Sequence, residues 1–221
     1  MELVTKGTRS SKIVSLYPHL YSKVMQLMRY RPPREGRTDL IYYFGPVGVG
    51  KTTAVTQTLA SLRTLYPEFD YYSKMAGMSK YFDGYDNQLV TWIDDPVSPN
   101  MYKMQEEAQI FKQVVSTGNA LVEVKYGSMV FDSGLLVITS NMTPEEMAEA
   151  FGMESRDALL RRFLDTCGAH SINSREDSQN KLRPHLIKCI KRRFPHLDIN
   201  VADVLSNIPP VVPITYDDIK F

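Results

Sequence analysis

Gly45-Pro46-Val47-Gly48-Val49-Gly50-Lys51-Thr52, entered from the apolar run Leu40-Ile41-Tyr42-Tyr43-Phe44, decides the reading of this chain. Glycines at these offsets let backbone N–H groups wrap phosphate oxygens, the lysine neutralises the β and γ oxygens, and the next hydroxyl ligates Mg²⁺. The stretch predicts a phosphate-binding P-loop between a strand and a helix. Gly45, Pro46, Val47, Gly48, Val49, Gly50, Lys51, Thr52 and Thr53 are its expected nucleotide contacts, with ATP as ligand and Mg²⁺ held through Thr52. The Thr/Ala/Leu-rich segment behind it predicts a helix from about residue 52 to 65.

Two further apolar runs lie downstream. Leu89-Val90-Thr91-Trp92-Ile93 ends in Asp94-Asp95, and Leu135-Leu136-Val137-Ile138-Thr139 ends in Ser140-Asn141. Short, continuously apolar runs suit strands buried on both faces of a parallel sheet, so the expected fold class is α/β. Ligands of such sheets bind beyond the C-terminal ends of the strands, which brings Asp94, Asp95 and Asn141 to the P-loop. A carboxylate after four apolar residues is the Walker B arrangement: Asp94 is expected to hold Mg²⁺ and Asp95 to polarise an attacking water. Asn141 suits either a sensor of the γ-phosphate or the start of the helix expected at Thr143-Pro144-Glu145-Glu146, and both can hold.

Between these runs a helix is expected over about 103–117, with Met104, Ala108, Phe111 and Val115 on one face. A hairpin follows, in which Leu121-Val122-Glu123-Val124 and Ser128-Met129-Val130-Phe131 flank Lys125-Tyr126-Gly127. Helices are expected around 144–151 and 155–163, then a polar stretch over 173–180, a basic helix near 184–194, and a loosely attached tail with Pro209, Pro210 and Pro213. Upstream, Leu16, Leu20, Val24, Leu27 and Met28 recur at helical intervals before Pro32-Pro33 breaks the pattern. This divides the chain into residues 1–38, a helical segment and linker; 39–172, the P-loop core; and 173–221, a helical extension and tail.

A net charge of +1 over 221 residues argues against wholesale coating of nucleic acid, and the basic clusters at 29–37 and 188–193 read first as solvated surface. Two cysteines and no signal-like N-terminal stretch point to a reducing, intracellular setting rather than secretion. No apolar run approaches the roughly 18 residues of a membrane span, so no membrane partner is expected. Cys167-x2-His170 and His185-x3-Cys189 have a spacing compatible with a compact zinc site, against the plainer reading of buried cysteines and surface histidines.

The P-loop, Lys80-Tyr81-Phe82-Asp83-Gly84-Tyr85, the run ending in Asp94-Asp95, Val122-Glu123-Val124-Lys125-Tyr126-Gly127 and Val137-Ile138-Thr139-Ser140-Asn141 occur in that order. Together they resemble superfamily 3 helicases, above all the helicase domain of replication initiator (Rep) proteins of circular single-stranded DNA viruses. The resemblance spans about residues 40–163. It implies an AAA+ three-layer parallel sheet behind a small N-terminal helical oligomerisation segment, and ring hexamers with ATP between subunits. Lys125 would then grip a backbone phosphate of single-stranded DNA and Tyr126 stack on a base or ribose. Arg161 and Arg162 match in position the superfamily's trans-acting arginines, which stabilise charge on a neighbouring subunit's γ-phosphate. The implied activity is DNA unwinding in rolling-circle type replication, in the nucleus of an infected cell. Rep proteins of this type carry a paired-histidine nicking domain; here His19 stands alone, so nicking is not expected. Picornavirus-type RNA-virus ATPases share the superfamily and the Asp-Ala-Leu-x-Arg-Arg-Phe ending, here Asp157 to Phe163, which makes RNA the alternative polymer. A non-translocating P-loop ATPase or small-molecule kinase is the reading from a different class.

Overall fold

Strand β1 (Asp39–Phe44) sends successive side chains to opposite faces of a sheet. Leu40 and Tyr42 enter one core, Ile41 and Tyr43 another. β3 (Val90–Asp94) and β6 (Leu135–Ser140) repeat the split, with Ile93, Leu136 and Ile138 on the first side and Val90, Trp92, Leu135 and Val137 on the second. Strands that are apolar on both faces need cover on both, and a three-layer α/β domain supplies it. The computed structural model describes residues 37–74, 81–96, 101–115, 120–124, 127–152, 156–164 and 167–209.

The sheet runs β2 (Tyr71–Lys74), β3, β6, β1, β7 (Ala169–Ser171), and every pairing in it is parallel. Helix α1 (Lys51–Leu65) covers one face through Ala54, Val55, Leu59 and Leu62, together with α5 (Arg183–Arg193) and α6 (Val201–Asn207). α1 holds five threonines, poor intrinsic helix formers; Thr56, Thr58 and Thr64 donate back to carbonyls one turn earlier. Its stability therefore comes from its buried stripe. The other face is covered by α2 (Met101–Val114), α3 (Pro144–Ala150) and α4 (Arg156–Leu164), which bury Phe111, Met147, Leu159 and Phe163.

A separate antiparallel hairpin, β4 (Ala120–Val124) with β5 (Gly127–Phe131), packs on that side through Val122, Val124, Met129 and Phe131. The Phe82–Tyr85 stretch wedges against it. The Tyr85 hydroxyl accepts from the backbone N–H groups of Asp132 and Ser133 at 2.8 and 3.0 Å, anchoring the loop between β5 and β6. Within the polar stretch over 173–180 the chain is helical from Arg175: a turn over Arg175–Asp177 passes through a π turn, Ser178–Leu182, into α5. The 12–30 helix, Lys125, Tyr126 and the tail beyond Pro209 lie outside the described residues.

Candidate nucleotide-binding site

The P-loop leaves β1 at Gly45, whose φ of +147° and whose neighbour dictate glycine: a Cβ there would stand 2.1 Å from the Ile172 carbonyl oxygen. Gly50, at φ +86°, is the N-cap of α1 and turns the loop into the helix. The Lys51 side chain folds back under the loop. Its ammonium donates to the carbonyls of Gly45 and Pro46, each at 2.8 Å, and to Asn141 Oδ1 at 3.1 Å, so all three of its hydrogens are used. Burial pulls the Lys51 pKa below the ordinary lysine value, while Asp95 and Asp94 oppose that shift.

Register brings the acidic end of β3 to the same place, because Asp94 pairs with Thr139 on β6. The Thr52 hydroxyl lies 3.1 Å from each Asp94 carboxylate oxygen. Thr139 Oγ1 also donates to Asp94, and accepts from the Trp92 indole N–H at 3.0 Å. Thr139 was not singled out by sequence; its importance arises from strand pairing, which leaves no local signature. Asp95 follows with φ of +44°, a left-handed conformation uncommon for a residue with a side chain and frequent at functional sites. Burial raises the Asp95 pKa first and the neighbouring Asp94 charge second, against a backbone hydrogen bond from Asn141 and the Lys51 charge.

These residues line one cavity of about 360 Å³, formed by Val47 through Thr53, Asp94, Asp95, Asn141, Arg175 and Ser178. That volume falls in the range of small-molecule sites. The Thr52 hydroxyl and Asp94 carboxylate are hard oxygen donors sharing one space, which fits Mg²⁺, and Lys51 beside them fits phosphate oxygens. Asn141 does not cap the following helix. Thr143 does, in a capping box with Glu146, which leaves the Asn141 amide to Lys51.

Arg161 and Arg162 lie in the last turn of α4 and do not line the cavity. Arg162 donates to the Ala158 carbonyl of its own helix at 3.0 Å. Arg161 is exposed and makes no hydrogen bond or ion pair among the described residues. The hairpin strands on either side of Lys125 and Tyr126 are in place, with Val124 paired to Gly127.

The cysteine and histidine pairs do meet, beside Tyr43. Cys189 Sγ lies 3.5 Å from His185 Nε2, Tyr43 Oη 2.8 Å from His185 Nδ1, and Arg192 donates to Cys167 Sγ at 2.9 Å. His170 Nε2 is 2.8 Å from the Cys167 carbonyl. Both cysteines are buried, but the histidines are half-buried rather than surface residues. Burial, then His170, lowers the His185 pKa to about 4. Among the described residues no three His, Cys, Asp or Glu side chains are placed to hold a metal ion.

Residues 41–142 match the sequence model of the RNA helicase family. The matched segment runs from β1 through the P-loop, both acidic residues and the hairpin to just past Asn141. The chain carries a superfamily 3 helicase domain. Its relatives include proteins of more than one kind of virus. The genome polyprotein of human rhinovirus 1A is 30% identical over 192 residues, covering 82% of this chain and 8% of the polyprotein. The replication-associated protein of pigeon circovirus is 28% identical over 169 residues, covering 72% of this chain and 47% of that protein. The helicase domain thus spans a small part of the first relative and about half of the second. A solved structure, the apo C-terminal region of NrS-1, covers 93% of this chain and 46% of its own at 12% identity, with a TM-score of 0.40. Among the described residues no helix is long and apolar enough to cross a membrane.

Proposed function

We propose that this domain hydrolyses ATP to drive movement along single-stranded DNA, as a six-membered ring, during replication of a viral genome in the nucleus of an infected cell. The observation that carries the ATPase reading is the convergence of Lys51, Thr52, Asp94, Asp95 and Asn141 on one cavity beyond the C-terminal ends of β1, β3 and β6. Lys51 exchanges its carbonyl partners for the triphosphate oxygens. Thr52 and Asp94 hold Mg²⁺, which when bound supplies positive charge to the β and γ oxygens. Asp95 orients the attacking water and takes up its proton, while Asn141, already tied to Lys51, contacts the γ-phosphate side. Arg161 is the arginine offered to a neighbouring subunit's site, since Arg162 is engaged by its own helix.

Single-stranded DNA as the polymer is supported by similarity along half of a circovirus replication-associated protein. Lys125 and Tyr126, between β4 and β5 in the sequence, are the expected contacts. RNA is the second reading, favoured by the rhinovirus similarity over 82% of this chain. Strand separation on tailed DNA and RNA duplexes, with particle mass measured in the presence of ATP, tests both. ATP-dependent unwinding of DNA by a multimer is expected. Unwinding of RNA alone would move the domain to the second reading, and a monomer turning over ATP without regard to either polymer would overturn both.

A further inference from the structure

The nucleotide cavity has a second cationic wall. β7 lies on the opposite side of β1 from β6 and β3, so the chain leaving β7 approaches the P-loop from the flank away from Asp94, Asp95 and Asn141. It is pinned there at successive points. Ile172 N–H donates to the Phe44 carbonyl at 2.8 Å, and the Ile172 carbonyl crowds Gly45. The buried Ser178 hydroxyl donates to the Val49 carbonyl at 2.7 Å and lies 3.9 Å from where a Gly50 Cβ would stand. Arg175 falls between these anchors and lines the cavity.

Its guanidinium is uncommitted: exposed, with no hydrogen bond or ion pair among the described residues. The adjacent Asp177 is occupied by Lys181 at 2.6 Å and by the Asn173 N–H at 3.0 Å. The π turn that seats Ser178 on the P-loop is a rare element that recurs at functional sites. Around the cavity, Lys51 stands near two carboxylates, whereas Arg175 is the cation of the other wall. A nucleoside triphosphate carries more negative charge than Mg²⁺ and Lys51 neutralise, and a planar guanidinium suits phosphate oxygens bidentately.

We infer that Arg175 binds the triphosphate chain of the nucleotide within its own subunit, from the wall opposite the acidic pair. This rests on the ATP site proposed above. Arg175 is a binding residue on this account, contacting ground and transition states alike, so its loss raises KM more than it lowers kcat.

The test is displacement of a fluorescent ATP analogue from wild-type protein, Arg175→Ala, Arg175→Lys and Lys51→Ala, using ATP, tripolyphosphate and adenosine as competitors, beside steady-state kinetics. Arg175→Ala should weaken ATP and tripolyphosphate roughly tenfold, as for a lost charge-assisted hydrogen bond, and leave adenosine unchanged. Arg175→Lys should recover part of the loss. Unchanged ATP affinity in Arg175→Ala, with Lys51→Ala weakened, would overturn this inference alone. Weaker ATP with unchanged tripolyphosphate would place Arg175 on the ribose or base and overturn the phosphate assignment. Wild-type protein that does not bind ATP would overturn the nucleotide site and this inference together.

Discussion

The Thr52 hydroxyl at the start of α1 lies 3.1 Å from both carboxylate oxygens of Asp94 at the end of β3, joining two segments 42 residues apart. A hydroxyl and a carboxylate held this close share a cation better than either holds it alone. Asp94→Asn and Thr52→Ala should each lower Mg²⁺-dependent ATP turnover by roughly 10² or more, the scale of removing one electrostatic contact to the transition state. Thr52→Ser keeps the oxygen and should retain most of the rate. Turnover titrated against Mg²⁺ checks this; a Thr52→Ala protein with wild-type Mg²⁺ dependence would remove Thr52 from the metal site.

Asp95 should carry the pH dependence of turnover on this account. Burial and the Asp94 charge raise its pKa above the ordinary carboxylate value, and only the ionised form can accept a proton from water. Activity should therefore be full at neutral pH and fall as pH drops through that raised pKa, sooner than an ordinary aspartate would allow. Asp95→Asn should leave a low, flat residual rate over the same pH range. The kcat profile of the two proteins is the measurement, and an unchanged acid limb in Asp95→Asn would assign the limb elsewhere.

Arg161 and Arg162 should separate in a mixing experiment. Arg161→Ala alone should lower turnover by roughly 10³, the lower end of the effect of such arginines in related NTPases, with smaller loss for Arg162→Ala. Mixing inactive Arg161→Ala with inactive Lys51→Ala should restore part of the activity, because some interfaces then pair an intact P-loop with an intact arginine. No recovery at any ratio would exclude action between subunits.

His185 ties stability to pH. Its pKa in the folded protein is lowered to about 4, against about 6.5 for an unperturbed histidine, so the unfolded chain binds the proton more readily in between. The stability it contributes is fully present above about pH 6.5 and is lost as pH falls through 4. Thermal melts of wild-type protein should show Tm declining from pH 7 to 4.5, and His185→Phe should be less stable at pH 7 but decline less steeply. Parallel slopes would mean that other groups carry the acid sensitivity.

Much of the fold is legible wherever a strand is buried on both faces. Leu40–Phe44, Leu89–Ile93 and Leu135–Thr139 mark β1, β3 and β6 to within a residue, since burial on both faces demands an unbroken apolar run. β7 is three residues long and only partly buried, and β2 is an edge strand containing Ser73 and Lys74; neither has such a run. The polar composition of 173–180 gives no apolar stripe from which to read a helix, yet the chain is helical from Arg175, where Arg175 and Ser178 line the cavity beside the P-loop. The P-loop and the acidic pair announce themselves because their chemistry fixes both residue type and order. Thr139 and Arg175 do not, because they join the site through pairing and packing between segments far apart in the chain.

The most direct measurement is ATP hydrolysis by this protein and by Lys51→Ala, each alone and with single-stranded DNA or RNA of matched sequence. Mg²⁺-dependent turnover in the wild type, raised several-fold by DNA and more than by RNA, with at least about a 10²-fold loss in Lys51→Ala, is the predicted result. Turnover in Lys51→Ala equal to wild type, or no hydrolysis by wild-type protein in the presence of either polymer, would contradict the account.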